Sequence, residues 1–274
     1  MREFEGKVGV VTGAARGIGF ALVRDMARRG MRVVLSDVGA ARPAEMAASL
    51  VDGGAEVVGL VCDVSDESAV RDLATQTMER FGRVDLLCNN AGVVAGGRAW
   101  EISLEDWHRV LSVNLWGAIH GIRSFVPLLL ENPDGGHVVN VASMAAVVPW
   151  PGIAPYNVSK HGLLALSETL LGDLRRAGST VGVSVVMPGR VATGIGLPSG
   201  APAPAFDDQA EPGILRPEAV ADQIMRAVEE DRLYVFTQPD RLEQVEARFD
   251  AIVGREAPRP PRGVERSPSA REAT

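Results

Sequence analysis

The sequence predicts an α/β domain: a doubly wound sheet with helices on both faces. Short β-branched runs alternate with helical patterns through most of the chain. The first run, Lys7 to Thr12, feeds straight into a glycine-rich turn that opens a helix. Amide- and glycine-rich turns close later strands, at the sheet edge where open parallel sheets hold ligands. The 274 residues fit one large domain, assigned to residues 1–253, with a tail over 254–274.

Composition narrows the function. A hydrophobic content of 46% and a mean hydropathy of +0.07 supply a sizeable core. A net charge of −7 argues against nucleic acid or an anionic membrane as partner, since both call for a basic surface. No uninterrupted apolar run is long enough to suggest a membrane span. Met1 to Lys7 carries no signal-peptide pattern, so a cytoplasmic protein is expected. Cys62 and Cys88 end apolar runs and read as buried thiols without a disulfide. No histidines stand near them, and no metal site is expected.

Taken in order, the strand Lys7 to Thr12 meets Thr12-Gly13-Ala14-Ala15-Arg16-Gly17-Ile18-Gly19, and a helix runs from Phe20 to Arg29. Gly13 permits the tight turn, Gly17 lets backbone approach a pyrophosphate, and Gly19 lets the helix pack on the strand. The helix start offers free N–H groups and a positive dipole end to the anion. The second strand, Arg32 to Ser36, ends in Asp37, about 20 residues past the turn. A carboxylate there binds both ribose hydroxyls and repels a 2′-phosphate, which favours NAD. Arg16 pulls the other way, toward NADP. A helix is expected over Pro43 to Val51, and a strand over Ala55 to Cys62, closed by Asp63-Val64. The next helix is expected to be capped by Ser65 and Ser68 and to run to Phe81. Val84 to Cys88 is the fourth strand and ends in Asn89-Asn90-Ala91-Gly92.

One long helix is expected from Ser103 to about Leu130, with Asn114 mid-length between apolar neighbours. Asparagine is a poor helix former, so its presence there points to a site role. His137 to Val141 is a fifth strand ending in Ala142-Ser143. Tyr156 and Lys160, four apart at the head of an apolar-periodic segment reaching Leu174, fall on one helix face. The ammonium is expected to lower the phenol's pKa and make it a general acid or base. Val181 to Met187 is a sixth strand, followed by Pro188-Gly189-Arg190-Val191-Ala192-Thr193. Residues 194–216, rich in Pro, Gly and Ala, are expected to be a lid over the substrate. A helix (Pro217 to Glu230), a last strand (Leu233 to Thr237) and a closing helix (Arg241 to Val253) precede the tail, which is expected to be disordered.

Assembled, residues 4 to 240 resemble the short-chain dehydrogenase/reductase family, in its Rossmann-type branch. The likeness rests on Thr12 to Gly19, on Asn89 to Gly92, and on Asn114. It rests equally on Ser143 placed 13 residues before Tyr156, on Tyr156 with Lys160, and on Pro188-Gly189. The resemblance implies a single domain with a seven-stranded parallel sheet. It also implies a homotetramer or homodimer that pairs the helices carrying Asn114 and Tyr156. It implies hydride exchange between a nicotinamide and a carbinol carbon, without metal. Tyr156 is then the acid/base, Lys160 binds the nicotinamide ribose, Ser143 holds the substrate oxygen, and Asn114 holds a relay water. Gly13, Arg16, Gly17, Ile18 and Gly19 form the phosphate turn. Asp63 and Val64 flank adenine, Asn90, Ala91 and Gly92 lie near the ribose, and Pro188, Gly189, Val191 and Thr193 hold the carboxamide. Arg190 departs from the many relatives that are neutral there. It contacts a polar substrate group, a lid acid such as Asp207 or Asp208, or solvent.

The residues expected at the substrate are mainly apolar: Val94, Met144, Ala145, Val147, Trp150 and the segment from Ile195 to Ala205. Trp150 reads equally as a rim or a core aromatic. No lysine or arginine lies between Val191 and Leu215, where a phosphate-bearing carrier calls for one. The expected substrate is therefore a lipophilic secondary alcohol or ketone, of terpenoid, steroid-like or alkyl type. The alternatives are an NADPH-dependent ketoreductase of 3-oxoacyl-carrier type and a non-enzymatic dinucleotide-binding regulator. The regulator would have no need of Ser143, Tyr156 and Lys160 together.

Overall fold

The computed structural model describes residues 1, 3–39, 42–51, 56–195 and 213–257. Most of the expected lid, with Asp207 and Asp208, and the tail beyond residue 257 lie outside the described residues.

Seven strands form one parallel sheet: β1 (Val8–Thr12), β2 (Arg32–Asp37), β3 (Val57–Val61), β4 (Leu86–Asn89), β5 (His137–Val141), β6 (Gly182–Met187) and β7 (Tyr234–Phe236). Their order is β3-β2-β1-β4-β5-β6-β7. β1, β4, β5 and β6 are buried throughout, as expected of Val- and Leu-rich strands covered on both faces. The strand order reverses between β1 and β4. That switch point opens a crevice at the carboxyl ends, where Val11 pairs with Cys88 and Asn89 with Asn140.

Helices α1 (Gly17–Arg28), α2 (Arg42–Val51) and α7 (Pro217–Glu229) cover one face, through Leu22, Met26, Ala47, Ile224 and Met225. Helices α3 (Glu67–Phe81), α5 (Gly117–Leu130) and α6 (Ala154–Arg176) cover the other, through Leu73, Phe125, Leu129 and Leu171. α4 (Leu104–Leu111) leads into α5, and α8 (Leu242–Val253) lies near the carboxyl end of β5, where Arg248 Nη1 donates to the Val147 carbonyl at 2.8 Å. Gly59 in β3 lets α2 lie directly on the strand, because a Cβ there would meet the Pro43 carbonyl oxygen at 2.1 Å.

Two expectations need correction. The helix expected over Ser103 to Leu130 is not a uniform α-helix. A π-helical turn, Ser112–Trp116, interrupts it around Asn114. The stretch Leu104–Leu130 is, by length and composition alone, long and apolar enough to cross a membrane. In this fold its apolar side packs on the sheet through Phe125, Val126 and Leu129. The cap of α3 is Asp66, whose carboxylate accepts from Ser68 N at 2.8 Å. Ser65 instead donates its N–H and hydroxyl to Asp63.

At the amino ends of the strands, buried Asp85 ties the sheet together. It accepts from Val8 N at 2.9 Å and from Arg83 Nε at 2.8 Å, and Lys7 Nζ stands 3.6 Å away.

Candidate active site

A cavity of about 1340 Å³ opens at the carboxyl ends of β1, β2, β4, β5 and β6. The glycine turn forms its floor. Gly13 and Gly17 have φ of +61° and +57°, in the left-handed region that favours glycine. A Cβ on Gly13 would come 2.6 Å from Ala91 Cα, so this glycine lets the β1 and β4 turns touch. A Cβ on Gly19 would collide with Asn90 Nδ2 at 2.5 Å. That amide donates to the Thr12 and Gly13 carbonyls, both at 2.9 Å, and so rivets the two turns together. Gly19 stands behind the cavity wall rather than in it, while Gly13, Arg16, Gly17 and Ile18 line the cavity. The first turn of α1 has neither a side-chain cap nor an acidic residue, and it meets the cavity at Arg16 and Gly17. Uncapped N–H groups at a helix start suit a pyrophosphate.

Asp37 ends β2 and lines the same cavity. Its carboxylate accepts from Ala15 N at 2.9 Å and from Val38 N at 2.8 Å, which fixes its position beside the glycine turn. Asp63, Val64, Asn90, Ala91 and Gly92 complete that wall. Arg42 also lines it, a residue that the sequence reading did not single out. It opens α2, five residues after Asp37, and does not directly follow it.

The other end of the cavity holds Ser143, Tyr156 and Lys160. Ser143 is extended and caps a short 3-10 turn, Met144–Ala146, by accepting from Ala145 N at 3.1 Å. Its hydroxyl reaches the Pro188 carbonyl at 3.4 Å. α6 begins early enough, at Ala154, to carry both Tyr156 and Lys160 one turn apart. Lys160 is buried, and its Nζ donates to the Val141 carbonyl at 2.8 Å and lies 5.5 Å from the centre of the Tyr156 ring. Burial lowers the Lys160 pKa to about 8. Burial raises the Tyr156 pKa above its usual value, against the opposing pull of the Ser143 hydroxyl. The expected direction for the phenol is therefore corrected. Loss of water around the phenol outweighs the Ser143 hydrogen bond.

Asn114 does not line the cavity but stands behind it. Its Oδ1 accepts from Val93 N at 2.8 Å, and its Nδ2 donates to the Val93 carbonyl at 2.9 Å and to Ser159 Oγ at 3.1 Å. A Cβ on Gly92 would lie 3.6 Å from Asn114 Oδ1 and 3.7 Å from Lys160 Nζ, so both groups flank that glycine. The π turn aims this side chain inward, which explains an asparagine amid apolar residues.

Pro188, Gly189, Arg190, Val191 and Thr193 form the wall above β6. A parallel bridge joins Val191 to Leu215, with Leu215 N donating to the Arg190 carbonyl at 3.0 Å and Ala192 N to the Leu215 carbonyl at 3.1 Å. Val94 lines the cavity, whereas Met144, Ala145, Val147 and Trp150 do not. Met144 and Val147 pack into a separate apolar cluster, and Asn157 holds the backbone of Trp150 through both its N–H and its carbonyl. α4 instead presents Glu105, His108 and Arg109 to the cavity, and the π turn adds Ser112, a polar face that the apolar expectation missed. Among the described residues no cluster of potential metal ligands occurs.

The sequence profile of the short chain dehydrogenases matches residues 7–201. A 1-deoxy-11-beta-hydroxypentalenate dehydrogenase of Streptomyces avermitilis is 39% identical over 89% of this chain and 88% of its own length. A CLA biosynthesis dehydrogenase/reductase of Lactiplantibacillus plantarum is 31% identical over 94% of this chain and 97% of its own. Among solved structures, a short chain dehydrogenase/reductase from Burkholderia phymatum in complex with NAD superposes with a TM-score of 0.88. It is 39% identical and covers 95% of this chain and 99% of its own.

Proposed function

The chain belongs to the short-chain dehydrogenase/reductase family of oxidoreductases, and from that premise we propose that it oxidises a lipophilic secondary alcohol to a ketone with NAD. The observation that carries the reading is the convergence of Ser143, Tyr156 and Lys160 on the cavity that the glycine turn and Asp37 also line. NAD, when bound, supplies the hydride acceptor. The uncapped start of α1 and the turn at Gly13 and Gly17 would hold its pyrophosphate, Asp37 its adenosine ribose, and Lys160 its second ribose. Ser143 orients the substrate oxygen and stabilises the charge that develops on it. In oxidation Tyr156 acts as its phenolate, whose Oη takes the hydroxyl proton, and as the phenol it returns that proton in reduction. The Streptomyces relative's hydroxypentalenate supports a terpenoid-like alcohol. The apolar lining residues Val93, Val94, Val113 and Ile214 support a lipophilic body. A homodimer or homotetramer is part of this reading.

Tyr156→Phe tests it. We expect kcat to fall by about 10²- to 10⁴-fold, with the dissociation constant for NAD unchanged. Retained turnover would overturn the assignment.

A second reading, NADPH-dependent reduction, draws on Arg16 and Arg42, which line the cavity beside Asp37. Titration with NAD⁺, NADH, NADP⁺ and NADPH separates the two. Tighter binding of the phosphorylated pair would favour the reductase.

A further inference from the structure

The cavity's charge is at odds with the chain's. The protein is −7 overall, yet among the described residues five cations and three carboxylates line the cavity. At the nucleotide end, Arg16 and Arg42 are matched by Asp37 and Asp63. At the catalytic end, among the described residues, Lys160, Arg109 and Arg190 share the wall with one carboxylate, Glu105. Two of these cations are committed. Lys160 is buried beneath Tyr156 and donates to Val141. Arg109 is tied back to α4 by Asp106 at 2.8 Å, an ion pair that holds the Asp106 carboxyl below its usual pKa, and it reaches the Val94 carbonyl at 3.4 Å.

Arg190 is placed differently. It follows β6, while Ser143 follows β5 and the Val93–Val94 wall follows β4, so the Ser143–Tyr156 pair lies between the Arg109 and Arg190 walls. The Pro188 carbonyl, two residues before Arg190, is within 3.4 Å of the Ser143 hydroxyl. Its backbone is pinned by Leu215, while its side chain is exposed at the cavity wall. Arg190 already has an interaction within the chain, so binding an anion there exchanges one partner for another. A guanidinium presents a planar fork that matches a carboxylate, and a cavity wall desolvated by an apolar substrate strengthens the pair.

We propose that the substrate is a lipophilic secondary alcohol that also bears a carboxylate, and that Arg190 recognises this carboxylate. The proposal rests on the alcohol-oxidising reading above. It also reconciles an apolar lining with a positive one: the hydrocarbon body meets the valines, and the acid meets Arg190.

The test compares 5-hydroxydecanoate, its methyl ester and 5-decanol as substrates, with NAD⁺, for the full chain and for Arg190→Gln, Arg190→Lys and Arg109→Gln. NADH binding is measured alongside to show that each variant keeps its nucleotide site. We expect the unaltered protein to favour the acid over both neutral compounds by about tenfold or more in kcat/KM, chiefly through KM. The preference should shrink as salt rises. R190Q should collapse the acid-to-alcohol ratio toward one, and R190K should keep part of it. A ratio near one in the unaltered protein, a ratio that survives in R190Q, or a collapse in R109Q instead would each overturn the assignment. Oxidation of the neutral compounds in any of those cases leaves the dehydrogenase reading intact. Oxidation of none of the three overturns the lipophilic-alcohol reading and this inference together.

Discussion

Lys160 shows what a buried cation costs a fold. Its ammonium is buried against one carbonyl, and its pKa falls to about 8. Below that pH both folded and unfolded chains carry the proton, and the folded state bears the full cost of the buried charge. As pH rises from about 8 toward the ordinary lysine range, the folded chain sheds its proton first, and that cost is relieved. Lys160→Met should therefore stabilise the protein by about 2 kcal/mol near pH 7, after allowing for the lost hydrogen bond, and by progressively less above pH 8. Urea unfolding at pH 7 and pH 9.5 checks the trend, and activity should be lost. Asp37 governs a different quantity. On the proposed reading, Asp37→Ala should narrow the gap between the NAD⁺ and NADP⁺ dissociation constants by about tenfold or more, because Arg16 and Arg42 still line the same cavity. Isothermal titration of both nucleotides gives the answer. These residues were legible in the sequence because their spacing follows helix and turn geometry. The direction of the Tyr156 shift was not, because burial of a ring depends on everything packed around it.

Among the elements, the π turn in the Leu104–Leu130 stretch has the clearest consequence. It turns Asn114 onto Val93, where one amide satisfies both backbone groups of that residue. Asn114→Ala leaves Val93 N–H and C=O unpaired next to the site, and should cost about 2 kcal/mol of stability in urea unfolding. Strand and helix identities followed from apolar periodicity, and the ends of most elements fall within a residue or two of expectation. The π turn was hidden because a single inserted residue barely disturbs the apolar repeat. Asn114 betrayed it only as a poor helix former in an apolar setting. The Asp66 cap was hidden by three neighbouring residues of similar capping strength. The polar cavity face of α4 was hidden because its acid, histidine and arginine read as an ordinary solvated helix surface.

Across the whole molecule, the sheet divides its labour end to end. Carboxyl ends carry the cavity, and amino ends carry the Asp85 tie between β1 and β4. Asp85→Ala strands the Val8 N–H and removes the partner of Arg83. It should cost about 2–4 kcal/mol in chemical denaturation while leaving the NAD dissociation constant within about twofold. The doubly wound topology was legible as a whole because seven β-branched runs alternate with helices. The placement of Trp150 and Ala145 away from the cavity was not, since it depends on how one short turn after β5 folds. The bridge between Val191 and Leu215 has a further consequence for how such a protein changes over evolutionary time. The bridge holds Val191 and Leu215 side by side, so the two ends of the stretch between them are fixed together whatever its length. Lengthening such a bracketed stretch costs little, roughly 0.6 kcal/mol for each doubling. On the dehydrogenase reading proposed above, sequence drift or exchange between those two ends would retune which alcohol is accepted while Ser143, Tyr156 and Lys160 are inherited unchanged.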